Sequence, residues 1–399
     1  MTRYHVAPRR GWLNDPNGMV HHAGRWHVFF QHNPDEARHG NIAWGHVSSV
    51  DLVTWLEHPV AFRPQPCGPD RGGCWSGVSV VVGDRVAAAY TGIETGPTGS
   101  TICVRYAADA PLDDWSAPLV AGREPEGLGI TEMRDPFVFS WSGRRWALLG
   151  AGLADGPALL LWSCDDLDTW RFEQVWLTPS DPVLRALGDA DIWECPQLVE
   201  VDGSWVLVVS LWKAGTLDRA VYAVGSLVDD GGRPRFVARG AGVVDAGTVC
   251  YAPQVLSDAP GGGPLLLGWA REDDPVDAPA PDAVAGCLTL PRRLRLDGDR
   301  LVSDLDPAVR RLVGDPIALS GNEAQVPAQA YLRVDAPVRL TGLATTIAVD
   351  AGSEVWVDDD VVEVYPQSGT PETYRDPGTT CWRLVPTTSA AANEVASHA

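Results

Sequence analysis

The sequence lacks the features that mark membrane, secreted and nucleic-acid-binding proteins. None of its 399 residues belongs to an apolar run approaching the roughly 20 residues of a membrane-spanning helix. The N-terminal segment 1–18 has no apolar stretch typical of signal peptides, so with Met1 as the start we expect a cytoplasmic location. Lys and Arg total 31 against 52 Asp and Glu, a net charge of −21. This charge disfavours nucleic acid and anionic membranes as partners, but not a neutral ligand.

Disulfide and metal-binding patterns are also missing. The eight cysteines are scattered without a CxxC pair, and in a reducing compartment we expect free thiols packed as small apolar side chains. No HExxH motif and no Cys/His spacing of a zinc site occurs. The sequence therefore predicts no metal and no cofactor, and it contains no pattern that indicates an oligomeric state.

What the sequence does contain is a repeated β-hairpin. Most of the first 290 residues are short apolar runs separated by Gly-containing turns such as HAGRW, WSGRRW and VDGSW. Each hairpin follows a short motif: NDPNG, WSG, RDPF, ECPQ or YAPQ. Successive gaps between the motif residues are 61, 59, 59 and 58 for Asp15, Ser76, Asp135, Glu194 and Ala252. Five units of about 60 residues, each with room for four strands, predict a five-bladed β-propeller.

These patterns predict an all-β chain of two domains. The propeller is expected over residues 1–295. Alternating apolar and polar residues at 345–366 predict antiparallel strands, and we expect a small β-sandwich over 296–385. Residues 386–399 have the composition of a disordered tail.

Three acids lie at the starts of repeats: Asp15, Asp135 and Glu194. Because the first strand of every repeat is innermost in a propeller, we expect these acids to share one central cavity. Glycosidases use two carboxyl groups, one as nucleophile or base and the other as proton donor. Glu194 lies between the apolar residues Trp193 and Cys195, a setting that raises a carboxyl pKa and favours a general acid. The sequence therefore predicts a sugar-cleaving site.

The motifs resemble, in order, the signature of glycoside hydrolase family 32, which contains invertases, β-fructofuranosidases, inulinases and levanases. The matching segments are WLNDPNG, FFQHNP, WGH, WSG, RDP, EC and LTLPR, within residues 4–296. The resemblance implies a five-bladed propeller followed by a β-sandwich, and hydrolysis of β-fructofuranosyl bonds with retention. Only about 100 residues follow the propeller, fewer than the family's usual sandwich, so we expect a sandwich that has lost strands.

The resemblance also implies a role for each matching residue. Asp15 would be the nucleophile, Glu194 the acid/base and Asp135 a transition-state stabiliser. The remaining implied residues contact the sugar: Asn14, Gln31, Trp44, Ser76 and Arg134 line the fructose pocket, Trp75 and Trp269 form apolar walls, and Cys195 lies beside the acid.

Two other functions fit the same residues. A fructosyltransferase would use the same acids with a sugar as acceptor in place of water, and a propeller can bind a fructoside without cleaving it. The three intact acids favour a hydrolase of sucrose or short fructo-oligosaccharides. Leaving-group specificity is expected to depend on rim loops at 121–133 and 272–285. A phosphorylated substrate would need a basic rim site, for which Arg71, Arg123 and Lys213 are candidates.

Overall fold

The computed structural model describes residues 3–96, 99–272, 283–314, 316–318, 324–387 and 394–397. Strands dominate these ranges, which also contain a short α-helix, α1 (Pro182–Arg185), and a 3-10 turn at Val309–Leu312. No helix in the described ranges is long and apolar enough to cross a bilayer. The predicted all-β class is confirmed.

The N-terminal domain is built from antiparallel sheets whose strands follow one another along the chain. These strands are β1 (Gly11–His22), β2 (Arg25–Asn33), β3 (Ala43–Ser49), β4 (Trp55–Glu57), β5 (Gly73–Val82), β6 (Arg85–Ile93), β7 (Thr101–Tyr106), β8 (Leu119–Arg123), β9 (Glu132–Trp141), β10 (Arg144–Leu153), β11 (Gly156–Ser163), β12 (Arg171–Leu177), β13 (Ile192–Val201), β14 (Ser204–Lys213), β15 (Thr216–Asp230), β16 (Arg233–Val243), β17 (Cys250–Leu256), β18 (Leu265–Ala270), β19 (Val284–Ala285), β20 (Cys287–Leu288), β21 (Arg292–Asp297) and β22 (Arg300–Leu305).

Five sheets form the blades of a propeller. From the innermost strand outwards they are β1 to β4, β5 to β8, β9 to β12, β13 to β16, and β17-β18-β21-β22. The innermost strands β1, β5, β9, β13 and β17 contact their neighbours and close a ring. Strand β19, which lies in sequence between two strands of the fifth blade, pairs in parallel with β1. This pairing joins the fifth blade to the first. The predicted five-bladed propeller is confirmed.

The end of the propeller differs from the expected boundary at residue 295. That position lies inside β21, which pairs with β18 and with β22, so the fifth blade continues to Leu305. The reason is local: RRLRLDGDRLVSDL is a hairpin with a tight turn at Gly298, and its two strands supply the outer half of the blade.

The C-terminal domain contains two packed sheets. Its strands are β23 (Pro316–Ala318), β24 (Ala324–Val326), β25 (Gln329–Arg333), β26 (Val338–Thr341), β27 (Thr346–Val349), β28 (Glu354–Asp358), β29 (Val361–Tyr365), β30 (Glu372–Arg375), β31 (Trp382–Pro386) and β32 (Glu394–Ser397). One sheet has the order β23-β32-β25-β28-β29-β30 and the other β24-β31-β26-β27. Strand β32 pairs with β23 and β25, and Pro386 of β31 pairs with Val338, so residues 386 and 394–397 of the expected disordered tail at 386–399 are in strands. Residues 388–393 and 398–399 lie outside the described residues.

Close packing between blades positions the inner strands. Trp146 and Trp193 are fully buried in a core shared by the second to fifth blades. Gly150 on β10 lies against the innermost strand of the next blade, and a Cβ there would be 2.2 Å from the carbonyl oxygen of Trp193. Glycine is required at this approach, which brings β13 and its Glu194 next to β9.

A buried charge network joins the two domains. Arg292 of the propeller donates to Asp245 at 2.7 Å and to Glu363 of the sandwich at 2.6 Å. His5 contacts Asp358 and Glu363, each at 2.9 Å, and the side chains of all three are 0% exposed. The sandwich is therefore fixed against the propeller by ionic as well as apolar contacts.

Candidate active site

Each innermost strand carries a β-bulge at its motif. The register with the second strand of the blade shifts at the NDP, WSG, RDP, ECP and YAP segments of β1, β5, β9, β13 and β17. Asp135, Cys195 and Ala252 have positive φ values of 62°, 47° and 44° at these bulges. A bulge re-aims side chains and is common next to active sites. Five bulges at one level of the ring therefore direct motif residues of all blades towards the axis.

The bulges correct the repeat phase. By register, the first unpaired residues of the five bulges are Asn14, Trp75, Asp135, Cys195 and Ala252, so Cys195, and not Glu194, is in phase with Asp135, and Asp15 lies one position later. Glu194 is the last paired residue before its bulge, as are Arg134 and Tyr251, whereas Asp15 and Ser76 are the second unpaired residues of theirs. A bulge presents two consecutive residues of one strand opposite a single partner residue, so each motif offers two positions to the site.

A cavity of about 970 Å³ opens at this level of the propeller. The residues that line it come from all five blades: Trp12, Asn14, Asp15, Gln31, His39, Trp75, Ser76, Glu132, Arg134, Asp135, Glu194, Trp212, Gly215, Thr216, Leu217, Tyr251, Trp269, Arg271 and Glu272. All of the expected site residues except Trp44 and Cys195 are among them.

Trp44 does not line the cavity, contrary to expectation. It is 0% exposed, stacks on Phe62 and donates from Nε1 to the carbonyl oxygen of Trp75 at 3.2 Å. The third strand of a blade is separated from the axis by the two strands inside it, so Trp44 supports the wall formed by Trp75 without reaching a ligand.

Glu194 has both carboxyl oxygens engaged. Oε1 accepts from Arg134 Nε at 3.0 Å, and Oε2 accepts from the Tyr251 hydroxyl at 2.5 Å. Burial raises the pKa of Glu194 to about 7; Arg134 opposes this shift and Asp135 adds to it. The cause agrees with the apolar neighbours noted in the sequence. At neutral pH the carboxyl group is therefore poised to give or take a proton.

Asp15 and Asp135 meet across the cavity floor through Cys195. Cys195 Sγ lies 3.7 Å from Oδ2 of Asp15 and 3.6 Å from Oδ2 of Asp135, and its backbone N–H donates to the same Asp135 oxygen at 2.9 Å. Burial and the neighbouring carboxylates raise the thiol pKa well above its usual value, so Cys195 donates a weak hydrogen bond and is no nucleophile. It lies behind the two acids and does not line the cavity.

The two aspartates differ in their surroundings. Oδ2 of Asp15 accepts from Ser76 Oγ at 2.9 Å, whereas Oδ1 is buried without a hydrogen-bond partner among the described residues. Burial raises the pKa of Asp135 to about 6, against the opposing effects of Arg134 and of the Cys195 N–H. An unpaired buried carboxylate oxygen is costly, and such atoms are characteristic of sites that bind a ligand or an ordered water.

Arg134 organises one wall of the cavity. Its guanidinium pairs with Glu132 and with Glu194 and lies 5.8 Å from the ring centroids of both Trp75 and Trp212. Two aromatic faces and two carboxylates hold this cation, whose pKa is raised further above its normal value despite burial. Its position relative to Glu194 is therefore fixed before any ligand binds.

Sequence reasoning overlooked Tyr251 and Trp12. Tyr251 is the last paired residue before its bulge, as Glu194 is, so a repeat phase that included this position would have identified it. Trp12 donates from Nε1 to Oδ1 of Asn14 at 2.7 Å and packs edge-on against Trp269 at 5.7 Å. Glu132, Arg271 and Glu272 had no sequence signal beyond their place near the two predicted rim loops.

One group in the described ranges has the composition of a metal site, away from the cavity. Ligand atoms of His46, His58 and Asp113 lie within 4.8 Å of one another. The two imidazoles are stacked at 4.1 Å and 22°, so their in-plane lone pairs run side by side and do not converge on one point. Asp113 instead accepts from His58 Nδ1 at 2.8 Å. The geometry fits a hydrogen-bonded imidazole stack between the first and second blades.

The chain is similar to known proteins over most of its length. Residues 5–304 match the N-terminal domain of glycosyl hydrolases family 32. A sucrose-6-phosphate hydrolase of Bacillus subtilis (strain 168) is 32% identical over 372 residues, which are 88% of this chain and 74% of the relative. A raffinose invertase of Escherichia coli is 33% identical over 306 residues, 73% of this chain and 61% of the relative.

Solved structures share the fold. The Bombyx mori GH32 β-fructofuranosidase superposes with a TM-score of 0.79 at 22% identity, covering 99% of this chain and 93% of the other. The fold and the acid-lined cavity together define a five-bladed propeller glycoside hydrolase. Because the family match spans most of the sequence, the chain belongs to glycoside hydrolase family 32.

Proposed function

We propose that the protein hydrolyses terminal β-D-fructofuranosyl bonds of sucrose or short fructo-oligosaccharides, with retention of configuration. The observation that carries the proposal is the environment of Glu194. A buried carboxyl group with a pKa raised to about 7, held by Arg134 and Tyr251 in the same cavity as Asp15, meets the requirements of an acid/base residue facing a second carboxylate.

The proposed reaction has two steps. Glu194 gives its proton to the bridging oxygen while Asp15 attacks the anomeric carbon, C2 of fructose, so that the C2–oxygen bond breaks and a fructosyl ester forms. Glu194, now ionised, takes a proton from water, and the water oxygen attacks C2 and displaces Asp15. The proton returned to Glu194 and the carboxylate of Asp15 restore the starting state.

The other cavity residues hold the sugar. Asp135, Arg134, Asn14, Gln31 and Ser76 supply polar groups for fructose hydroxyls. Trp75 and Trp269 give the flat apolar walls on which sugar rings pack. Asp135 would strengthen its hydrogen bonds as positive charge develops on the ring, which stabilises the transition state.

A cytoplasmic location is proposed with this function. All eight cysteines are free thiols, six of them buried, as expected for a protein of a reducing compartment. Sucrose or a short imported oligosaccharide is a substrate suited to that compartment. Neither a metal nor an organic cofactor is needed for the proposed steps.

Purified protein incubated with sucrose, kestose, inulin and levan tests the proposal. We expect equimolar glucose and fructose from sucrose, and faster release from the short substrates than from the polymers. In aqueous methanol, retention gives methyl β-D-fructofuranoside, whereas the α-anomer would contradict the covalent mechanism. Oligosaccharides as the main products at high sucrose concentration would support a transferase instead. Binding without turnover would support a sugar-binding protein.

A further inference from the structure

The cavity walls carry an excess of negative charge. Carboxyl groups outnumber guanidinium groups five to two among the lining residues, and five to three when Arg375, which lies behind the lining and pairs with Glu272, is counted as well. Two of the acids, Glu132 and Glu272, do not belong to the predicted catalytic trio.

The two arginines in the lining already have partners. Arg134 is paired with Glu132 and Glu194. Arg271 donates to the carbonyl oxygens of Leu217 and Thr248, the latter at 3.0 Å. A phosphate group entering the cavity would have to compete with these contacts for a cation.

The basic residues suggested for a phosphate site lie elsewhere. Arg71, Arg123 and Lys213 are all outside the cavity lining. Arg71 pairs with Glu94 at 2.9 Å, and Lys213 pairs with Asp189 on the surface. Lys213 is the nearest in sequence to the lining residues, next to Trp212.

We infer that the protein discriminates against phosphorylated sugars, and that Glu272 is a specificity-determining residue for an uncharged leaving group. The inference rests on the proposed function, because it concerns the sugar on the far side of the cleaved bond. A phosphate ester carries nearly two negative charges at neutral pH and would be brought among carboxylates that it cannot neutralise.

Glu272 is held in place by one residue of the sandwich domain and one of the propeller. Its Oε1 accepts from Arg375 Nη1 at 2.6 Å and from the backbone N–H of Gly286 at 2.9 Å. Gly286 has φ +80° and lies so close to β1 that a Cβ would be 1.9 Å from the Leu13 carbonyl oxygen, so this donor cannot easily move. Oε2 has no hydrogen-bond partner within the described ranges and can accept from a sugar hydroxyl.

The positioning residue of this pair, Arg375, lies on β30. Its side chain is 4% exposed and also contacts Asp360 at 3.5 Å and Cys287 Sγ at 3.1 Å. Through Arg375 the C-terminal domain contributes to substrate choice, although it supplies no residue to the cavity itself.

The experiment compares kcat/KM for sucrose and sucrose 6-phosphate in the wild-type protein, Glu272→Gln and Asp304→Asn. Asp304 pairs with Arg295 on the exposed outer strand of the fifth blade, so Asp304→Asn makes the same change in net charge away from the site. We expect the wild type to prefer sucrose by at least about 100-fold. Glu272→Gln should reduce this preference about tenfold, and Asp304→Asn should leave it unchanged.

A measurement on the wild type alone gives a second test. If repulsion sets the preference, it shrinks as salt rises from about 0.02 to 1 M, because the Debye length falls towards about 3 Å. Equal or faster cleavage of sucrose 6-phosphate would overturn the inference and leave the proposed function intact. A preference that Glu272→Gln and salt do not change would also overturn it. No fructose from either sugar would overturn the proposed function as well.

Discussion

The hydroxyl of Tyr251 donates a hydrogen bond of 2.5 Å to Oε2 of Glu194. Each of the two residues is the last paired residue before the bulge on the innermost strand of its blade, and the two blades are neighbours, so the propeller ring itself sets their distance. A hydrogen bond to the ionised carboxylate lowers the pKa of Glu194, against the larger effect of burial. Tyr251 therefore tunes the proton affinity of the group proposed to transfer the proton.

The first prediction concerns the pH dependence of activity. Because Glu194 must be protonated to act as a general acid, kcat/KM should fall as pH rises through about 7. Tyr251→Phe removes a hydrogen bond to the carboxylate, raises the pKa of Glu194 and moves the alkaline limb to higher pH. We expect about tenfold lower activity at the optimum, which is of the order of magnitude of acid–base effects. Fructose release between pH 4 and 9 measures both the activity and the position of the alkaline limb.

Tyr222→Phe is the matched control for this prediction. The Tyr222 hydroxyl accepts from the Leu301 N–H at 3.0 Å, between the fourth and fifth blades and away from the cavity. This variant should lose some stability and keep the wild-type pH profile. An alkaline limb that stays in place in Tyr251→Phe would exclude a tuning role for the phenol.

The second prediction concerns the two acids with proposed covalent and proton-transfer roles. Glu194→Gln and Asp15→Asn keep the shape of each side chain but remove the acid. We therefore expect kcat to fall by about 100- to 10,000-fold. Glu200→Gln changes an exposed residue of the same strand β13 and should retain full activity. Circular dichroism should show an unchanged fold in all three. Wild-type turnover in either of the first two variants would disprove the assignment.

Repeats made the fold predictable. A spacing of about 60 residues fixes the number of blades, and placing motifs on innermost strands follows from the way a propeller is wound. The residue-level geometry was less accessible. The bulges decide that both Glu194 and Cys195 lie near Asp135, and no sequence pattern shows at which residue a bulge begins.

Contacts between distant segments could not be predicted for a related reason. Glu272 meets Arg375, and Arg292 meets Glu363, through the docking of two domains whose relative placement has no signature in local sequence. Trp44 shows the converse limit. The resemblance of its motif WGH to the family signature implied a pocket-lining role. Strand β3 is the third strand of its blade, however, and Trp44 therefore lies behind the cavity wall formed by Trp75.

The third prediction concerns stability at the domain interface. Arg292 is 0% exposed and pairs with Asp245 and Glu363. Arg292→Met leaves Asp245 without its cation and Glu363 with His5 alone, and should lower the free energy of unfolding by about 3–5 kcal/mol. Arg295→Met, on the same strand, breaks an exposed pair with Asp304 and should cost about 0–1 kcal/mol. Urea unfolding of the two variants measures the difference, and equal losses would contradict a structural role for the buried network.

The fourth prediction follows from His5, which lies between two acids of the sandwich. Burial alone would lower its pKa, but Asp358 and Glu363 raise it to about 9, while the pKa of Glu363, buried beside Arg292 and His5, is lowered to about 2. The stabilisation from His5 is complete below pH 6.5 and is lost as pH rises through about 9. That from Glu363 is complete above pH 4.5 and is lost as pH falls towards about 2.

His5→Gln isolates the first of these effects. Its melting temperature should lie furthest below the wild-type value at pH 5–6, where the shift corresponds to about 3 kcal/mol as an order of magnitude, and the gap should narrow as pH approaches 9. His22→Gln makes the same substitution at the end of β1, outside the interface, and should not show this pattern. A gap between wild type and His5→Gln that stays constant from pH 5 to 9 would mean that His5 contributes packing and hydrogen bonds but no charge.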